Sequence, residues 1–248
     1  MKNILTLIAF VIVFTVKSQT IVNTYDLVTP IDSIWSVTSE LQGTFAAGNG
    51  VFTTFNSGLG LGRKLNNKTE AWFLGGYNSA SETQNNIYST GFVNLRMHYV
   101  GTKKIQVQAF YQRQFNSALK INNRSLLGIN AVRSFKKNQI LYDLTGGLFY
   151  EDELYSNQEA QTLFRGNLAS SITTELSNFD IHLTFYYQPS LLNLQDYRML
   201  GELSLQFPIN DQLKFEIESA LRYDSDPHLE LLPLDFSTVI GIVYSIAN

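Results

Sequence analysis

Leu213-Lys214-Phe215-Glu216-Ile217-Glu218-Ser219-Ala220-Leu221-Arg222-Tyr223 reads in two phases. Its odd positions hold Leu, Phe, Ile, Ser, Leu and Tyr, and its even positions hold Lys, Glu, Glu, Ala and Arg. Successive side chains of a strand point to opposite faces, so this segment has one apolar face and one charged face. The pattern recurs outward in both directions. Ile105, Val107, Ala109 and Tyr111 oppose Gln106, Gln108, Gln112 and Gln114, while Phe179, Ile181, Leu183, Phe185 and Tyr187 oppose Asp180, His182, Thr184, Tyr186 and Gln188. In the last such segment Phe236, Ile240, Ile242, Tyr244 and Ile246 oppose Asp235, Ser237, Gly241 and Ser245.

About twelve strands are expected, over 34–45, 51–63, 68–78, 87–100, 103–115, 124–135, 139–150, 161–176, 179–189, 196–207, 212–223 and 234–246. Sandwich strands average about 5–6 residues, and these run roughly twice that. Long two-phase strands of even number point to an all-β, transmembrane, antiparallel up-and-down β-barrel, with lipid on the apolar phase and the lumen on the polar one. Connections after even-numbered strands are turn-like, whereas most after odd-numbered strands are longer: 79–86, 116–123, 151–160 and 224–233. Bacterial barrels show this asymmetry between periplasmic turns and outer loops. On the third strand Trp72 and Phe73 compete for the apolar phase.

Lys2 followed by the apolar run Ile4 to Val16 reads as a secretory leader over 1–18 with cleavage before Gln19. The run is too short to span a membrane, which takes about 20 residues. Residues 19–33 are expected as a periplasmic lead-in and 34–248 as an outer-membrane barrel of a Gram-negative bacterium. Losing Lys2 and Lys17 takes the net charge from −3 to −5, which gives nucleic acid no basic face to bind. The chain has no cysteine, so no disulfide, lipid-anchoring cysteine or thiolate metal site is available. Hydrophobic residues make up 44% and mean hydropathy is −0.05, which a barrel permits because only alternate residues must be apolar. The 17 Phe and 13 Tyr suit aromatic girdles. The expected partners are outer-membrane lipid and, during assembly, the barrel insertion machinery; a monomer without cofactor or metal is expected.

Three stretches carry a family likeness: Gly146-Gly147-Leu148-Phe149-Tyr150-Glu151-Asp152-Glu153, Tyr187-Gln188-Pro189-Ser190-Leu191 and Arg222-Tyr223-Asp224-Ser225-Asp226-Pro227. In order and spacing they resemble the salt-induced outer-membrane protein family, a bacterial domain family of unknown function. The resemblance implies an outer-membrane barrel and brings no catalytic residues.

The candidate site is a charged lumen wall. Arg165, Arg198 and Glu202 point inward on two strands and Lys214, Glu216, Glu218 and Arg222 on a third. A tight turn at 208–211 would set Glu202 opposite Glu216 or Glu218. Like charges directly opposite are unfavourable, so either Lys214, Arg165, Arg198 or Arg222 is expected to offset them or one carboxylate is expected to take up a proton. Such a wall either plugs a narrow barrel with salt bridges or forms a selective constriction for ions or small solutes. Acidic residues on two expected outer loops, Glu151, Asp152, Glu153 and Glu159 on one and Asp224, Asp226, Glu230 and Asp235 around the other, could hold Ca²⁺ or Mg²⁺ weakly. Acidic loops are also ordinary solvated surface. His182 and Thr184 share an inward face, which suggests a lipid-modifying enzyme as a third reading. That chemistry wants its nucleophile on the lipid side, where Leu183 and Phe185 stand, and Thr184 needs an activating base. Histidines are few: His98, His182 and His228. Gly58, Gly60 and Gly62 lack a following helix and are no phosphate loop.

Overall fold

The computed structural model describes residues 27–28, 31, 34–47, 51–83, 85–102, 105–210, 212–228 and 231–247. The expected leader and its cleavage point lie outside the described residues. Twelve strands follow in order: β1 (Trp35–Ala47), β2 (Val51–Asn66), β3 (Thr69–Glu82), β4 (Asn85–Thr102), β5 (Ile105–Asn116), β6 (Ile121–Lys137), β7 (Ile140–Tyr155), β8 (Ala160–Glu175), β9 (Asp180–Pro189), β10 (Tyr197–Pro208), β11 (Leu213–Asp224) and β12 (Leu234–Ala247). Each pairs antiparallel with its neighbours in the chain, and β1 pairs with β12 to close the barrel. Closure removes the free edges that an open sheet would expose.

The wall is inverted relative to a water-soluble protein. Val93, Leu95, Met97, Leu183, Phe185 and Ile240 are exposed on the outside, whereas Asn94, Gln112, Asn167, Thr184 and Glu216 are buried on the inside. The facing expected of β5, β9 and β11 holds. Trp72 and Phe73 resolve their competition: Trp72 is buried inside and Phe73 is exposed outside. Aromatic rings line up near both rims. Tyr187, Tyr197 and Tyr223 stand 5.6 and 5.8 Å apart in sequence around one, and Phe179, Phe207 and Phe215 stand 5.7 and 6.1 Å apart around the other. Such girdles mark the two edges of a lipid-facing band.

Several expectations need correction. The strands run beyond their expected ends, so the longer loops expected at 79–86, 116–123 and 151–160 shrink to residues 83–84, 117–120 and 156–159. Turn chemistry permits this: Thr83, Lys120 and Gln158 take positive φ, the geometry that closes tight hairpins, as Asn138 does in the turn after β6. Among the described residues, 225–228 and 231–233 keep the longer connection expected there, and 190–196 forms another at that rim. Glu202 does not face a carboxylate, because it pairs with Ala220 while Ser204 faces Glu218 and Gln206 faces Glu216. The register is displaced because pairing resumes only at Pro208 and Lys214, later than a tight turn would allow.

Ile217 faces outward between Leu205 of β10 and Ile240 of β12, while Glu216 and Glu218 face inward. Ile217→Arg should therefore cost about 2–4 kcal/mol by placing a charge in the apolar band. Glu218→Gln should cost far less, because it leaves the outer surface untouched. Urea unfolding of the refolded protein in lipid vesicles measures both; equal costs would show that the phase is inverted.

Candidate functional site

The inward face of β7 begins the site. Glu151 and Glu153 lie two residues apart, so both point into the bore, and they are 0% and 1% exposed. The loop expected at 151–160 is corrected here: these carboxylates sit on a strand. Compensation from neighbouring strands keeps them there. Arg165 of β8 donates Nε to Glu151 Oε2 at 2.6 Å, and Arg198 of β10 donates Nη1 to Glu151 Oε1 at 2.6 Å. Arg124 of β6 pairs with Glu151 and reaches Glu153 Oε1 at 3.0 Å.

The network extends from there. Arg165 grips Asp196 with both terminal nitrogens, at 2.9 and 3.1 Å. Arg198 also reaches Glu153 Oε2 at 3.2 Å and, through Nε, Asp224 Oδ2 at 3.2 Å. The Tyr155 hydroxyl donates to Glu153 Oε2 at 2.8 Å. Three guanidiniums thus face four carboxylates, all buried, and tie β6, β7 and β8 to β10 and β11 through the bore. Charge-assisted bonds of this kind are about twice as strong as neutral ones.

The acidic surface clusters of the sequence reading are thereby corrected. Glu151, Glu153 and Asp224 are interior and already bound by arginine; Asp226 is exposed, and Glu230 lies outside the described residues. No group of three or more candidate metal ligands occurs among the described residues. Over the same rim the described residues His228 and Leu231 reach inward. The His228 ring stacks on Tyr155 at 3.8 Å between centroids, and Leu231 packs on buried Leu119, Ile121 and Tyr155.

The expected charge wall divides in two. Arg165 and Arg198 belong to the Glu151 network and do not offset Glu216 or Glu218 of β11. Those are held separately. Glu216 accepts from Gln42 at 3.1 Å, Ser204 at 2.7 Å and Gln206 at 2.9 Å. Lys214 pairs with Asp180 at 2.8 Å, and Arg222 pairs with Glu202 at 3.3 Å and donates to Ser237 at 3.1 Å. Glu218 also faces inward, opposite Ser204 and Val239.

Between these groups the bore holds amide chains. Asn94 donates to Gln112 at 2.9 Å and Gln112 to Gln114 at 2.6 Å; Gln188 donates to Asn167 at 3.1 Å and Asn167 to Asn130 at 3.0 Å. Asn94, Gln112, Asn130, Asn167 and Gln188 border a cavity of about 100 Å³ that Arg96, Gln108 and Tyr186 also line. His182 is held on both sides, by the Thr173 hydroxyl at 2.8 Å and the Thr184 hydroxyl at 2.7 Å, inside the bore.

Arg124, Tyr155 and Asp196 escaped the sequence reading. A register shift between Ile121 and Asn123 obscures the phase around Arg124, and Asp196 sits in a connection whose sequence carries no facing signal. The usable clue was the odd-even spacing of Glu151 and Glu153, which continues the inward phase of Thr145, Gly147 and Phe149.

Among solved structures, the NanC porin is similar with a TM-score of 0.55 at 10% identity, over 84% of this chain and 100% of that one. An outer-membrane channel from Pseudomonas putida F1 gives 0.52 at 11% identity, over 92% and 100%. The translocator domain of the autotransporter NalP from Neisseria meningitidis gives 0.52 at 13% identity, over 86% and 90%. At these identities the likeness is one of fold, the transmembrane barrel of outer-membrane type. No curated protein matches the chain. The family model described as protein of unknown function, DUF481, matches residues 39–246, from the first strand to the last, and the chain belongs to that family.

Proposed function

We propose that this chain is an integral, non-enzymatic outer-membrane barrel whose bore is closed by its own side chains. The observation that supports this reading best is the buried network around Glu151, which joins β6, β7 and β8 to β10 and β11 through the interior. A barrel of twelve strands is wider than the eight-strand case that side chains fill and narrower than the 16–18-strand case that stays open. Its state therefore depends on the length and pairing of the inward residues. Here they are arginine, glutamate and glutamine, paired through the interior.

The way His182 is held argues against catalysis. Both its ring nitrogens are engaged by threonine hydroxyls facing the bore, away from lipid substrates. A narrow passive channel is the competing reading, favoured by the polar cavity beside the network. Planar-bilayer recording separates the two. The native protein should carry little or no steady current, and a large, steady single-channel current would overturn the closed-bore reading.

The network should also carry stability. Arg198→Ala leaves Glu151, Glu153 and Asp224 each short of a partner in the interior, and losing one side of a buried pair costs about 3–5 kcal/mol. The outward Arg113→Ala should cost less than about 0.5 kcal/mol, as surface changes do. The temperature of the heat-modifiable gel shift reads both.

The finer localisation belongs to the same proposal. Export would remove residues 1–18, and the salt-induced character of the resembling family would raise the protein's level with external salt. Outer-membrane fractions from cells grown at low and high salt should contain a heat-modifiable species, more of it at high salt, whose N-terminus is Gln19. Recovery in the soluble periplasmic fraction would refute the location.

A further inference from the structure

Gly58, Gly60 and Gly62 share the inward face of β2, and the closed-bore reading assigns them nothing. Their neighbours inside the bore explain them. A Cβ on Gly60 would collide with the carbonyl oxygen of Leu27, and one on Gly58 would sit 2.8 Å from Leu27 Cδ2. A Cβ on Gly62 would meet the Trp72 ring at 2.6 Å. The glycines thus leave a groove in the wall that takes a main chain at close approach.

The occupant of that groove comes from the segment before β1. Leu27 and Ile31 are 4% and 6% exposed and pack on Trp72 and Leu74, with Val28 and Phe92 against them. This apolar cluster stands within a bore whose described inward residues are mostly polar. Without the segment, the indole of Trp72 and the side chain of Leu74 would face lumen water, which apolar surface avoids. Leu27 lies beside Gly60, which pairs with Thr38, so it sits inside the barrel level with the interior of β1 rather than beyond its start.

We propose that the groove formed by Gly58, Gly60, Trp72, Leu74 and Phe92 is a docking site for the chain's own Leu27–Ile31 segment, which acts as an internal stopper. The lead-in expected over 19–33 thereby gains a place: its described residues Leu27, Val28 and Ile31 sit within the barrel. The stopper covers β2, β3 and β4, whereas the Glu151 network spans β6 to β8 and β10 to β11. The bore is closed by two separate devices on different parts of the wall. Because Leu27 and Ile31 are not part of any wall strand, the stopper can leave without breaking a single ladder bond of the barrel.

Tryptophan emission tests the proposal independently of conductance. The chain has two tryptophans, and Trp35 is outward and half exposed, so Trp35→Phe isolates Trp72. In that background, full-length Leu27→Asp/Ile31→Asp should red-shift Trp72 emission and raise its quenching by acrylamide several-fold. Gly60→Leu should give the same signature by filling the groove. Gly201→Leu, where a Cβ meets nothing within 4 Å, should leave emission unchanged. Heat-modifiable mobility verifies the barrel in each case, and the double aspartate variant leaves the wall sequence intact should Gly60→Leu not fold. Unchanged Trp72 emission and quenching in the folded double variant would overturn the stopper. A steady current from the native protein would overturn the closed-bore reading, while the emission result would still decide the stopper.

Discussion

A carboxylate taken out of water costs several kcal/mol even after its surroundings relax, and that cost shapes the interior of this barrel. Glu151 is fully buried and meets it with Arg124, Arg165 and Arg198 together. Each guanidinium is itself buried and needs more than one acceptor, which brings Glu153, Asp196 and Asp224 into the arrangement. No member can be satisfied alone. Five strands are thereby held at fixed height relative to one another, because sliding any of them by a residue would turn a charged side chain out into lipid.

The same constraint explains the division of labour along the bore. The polar phase of each strand points inward, where water or other side chains must satisfy it. Long charged residues do so toward both ends, the Glu151 network near one rim and Glu216 with the Lys214–Asp180 pair toward the other. Amide chains through Asn94, Gln112, Asn167 and Gln188 do so farther in. Where β2 is built from glycine, the wall offers no side chains of its own, and an apolar segment fills the room instead. The outward phase has no such variety, since lipid accepts only apolar surface, with aromatic rings at the two edges.

That uniformity outside is why so much of the fold was legible in the sequence. Strand number and facing follow from the outward phase, and Ile105, Val107 and Tyr111 or Leu183 and Phe185 declare it directly. The interior obeys no single rule, so it was read less well. Glu151-Asp152-Glu153 has the composition of a solvated turn, and only arginines distant in sequence make it a strand. Trp72 violates the polar-inside pattern because Leu27 and Ile31 cover it, a partnership that no local window contains. Glu202 was placed against the wrong partner because the connection after Pro208 is looser than its short sequence suggested. Facing is a local property, whereas pairing within a lumen is a property of the closed barrel.

The Glu151 network also bears on the order in which the barrel assembles. Arg198, which pairs with Asp224, reaches back 47 residues to Glu151, and does so only when the intervening strands are already in place. Contacts of such long sequence separation form late, after the entropy of bringing their ends together has been met. Interactions absent from the folding transition state slow unfolding without hastening folding. The network is thus a latch that engages once β6 to β11 stand side by side. Before then the unzipped wall carries its charges in water; afterwards they are sealed in, and the finished barrel is protected by the slowness of its own opening.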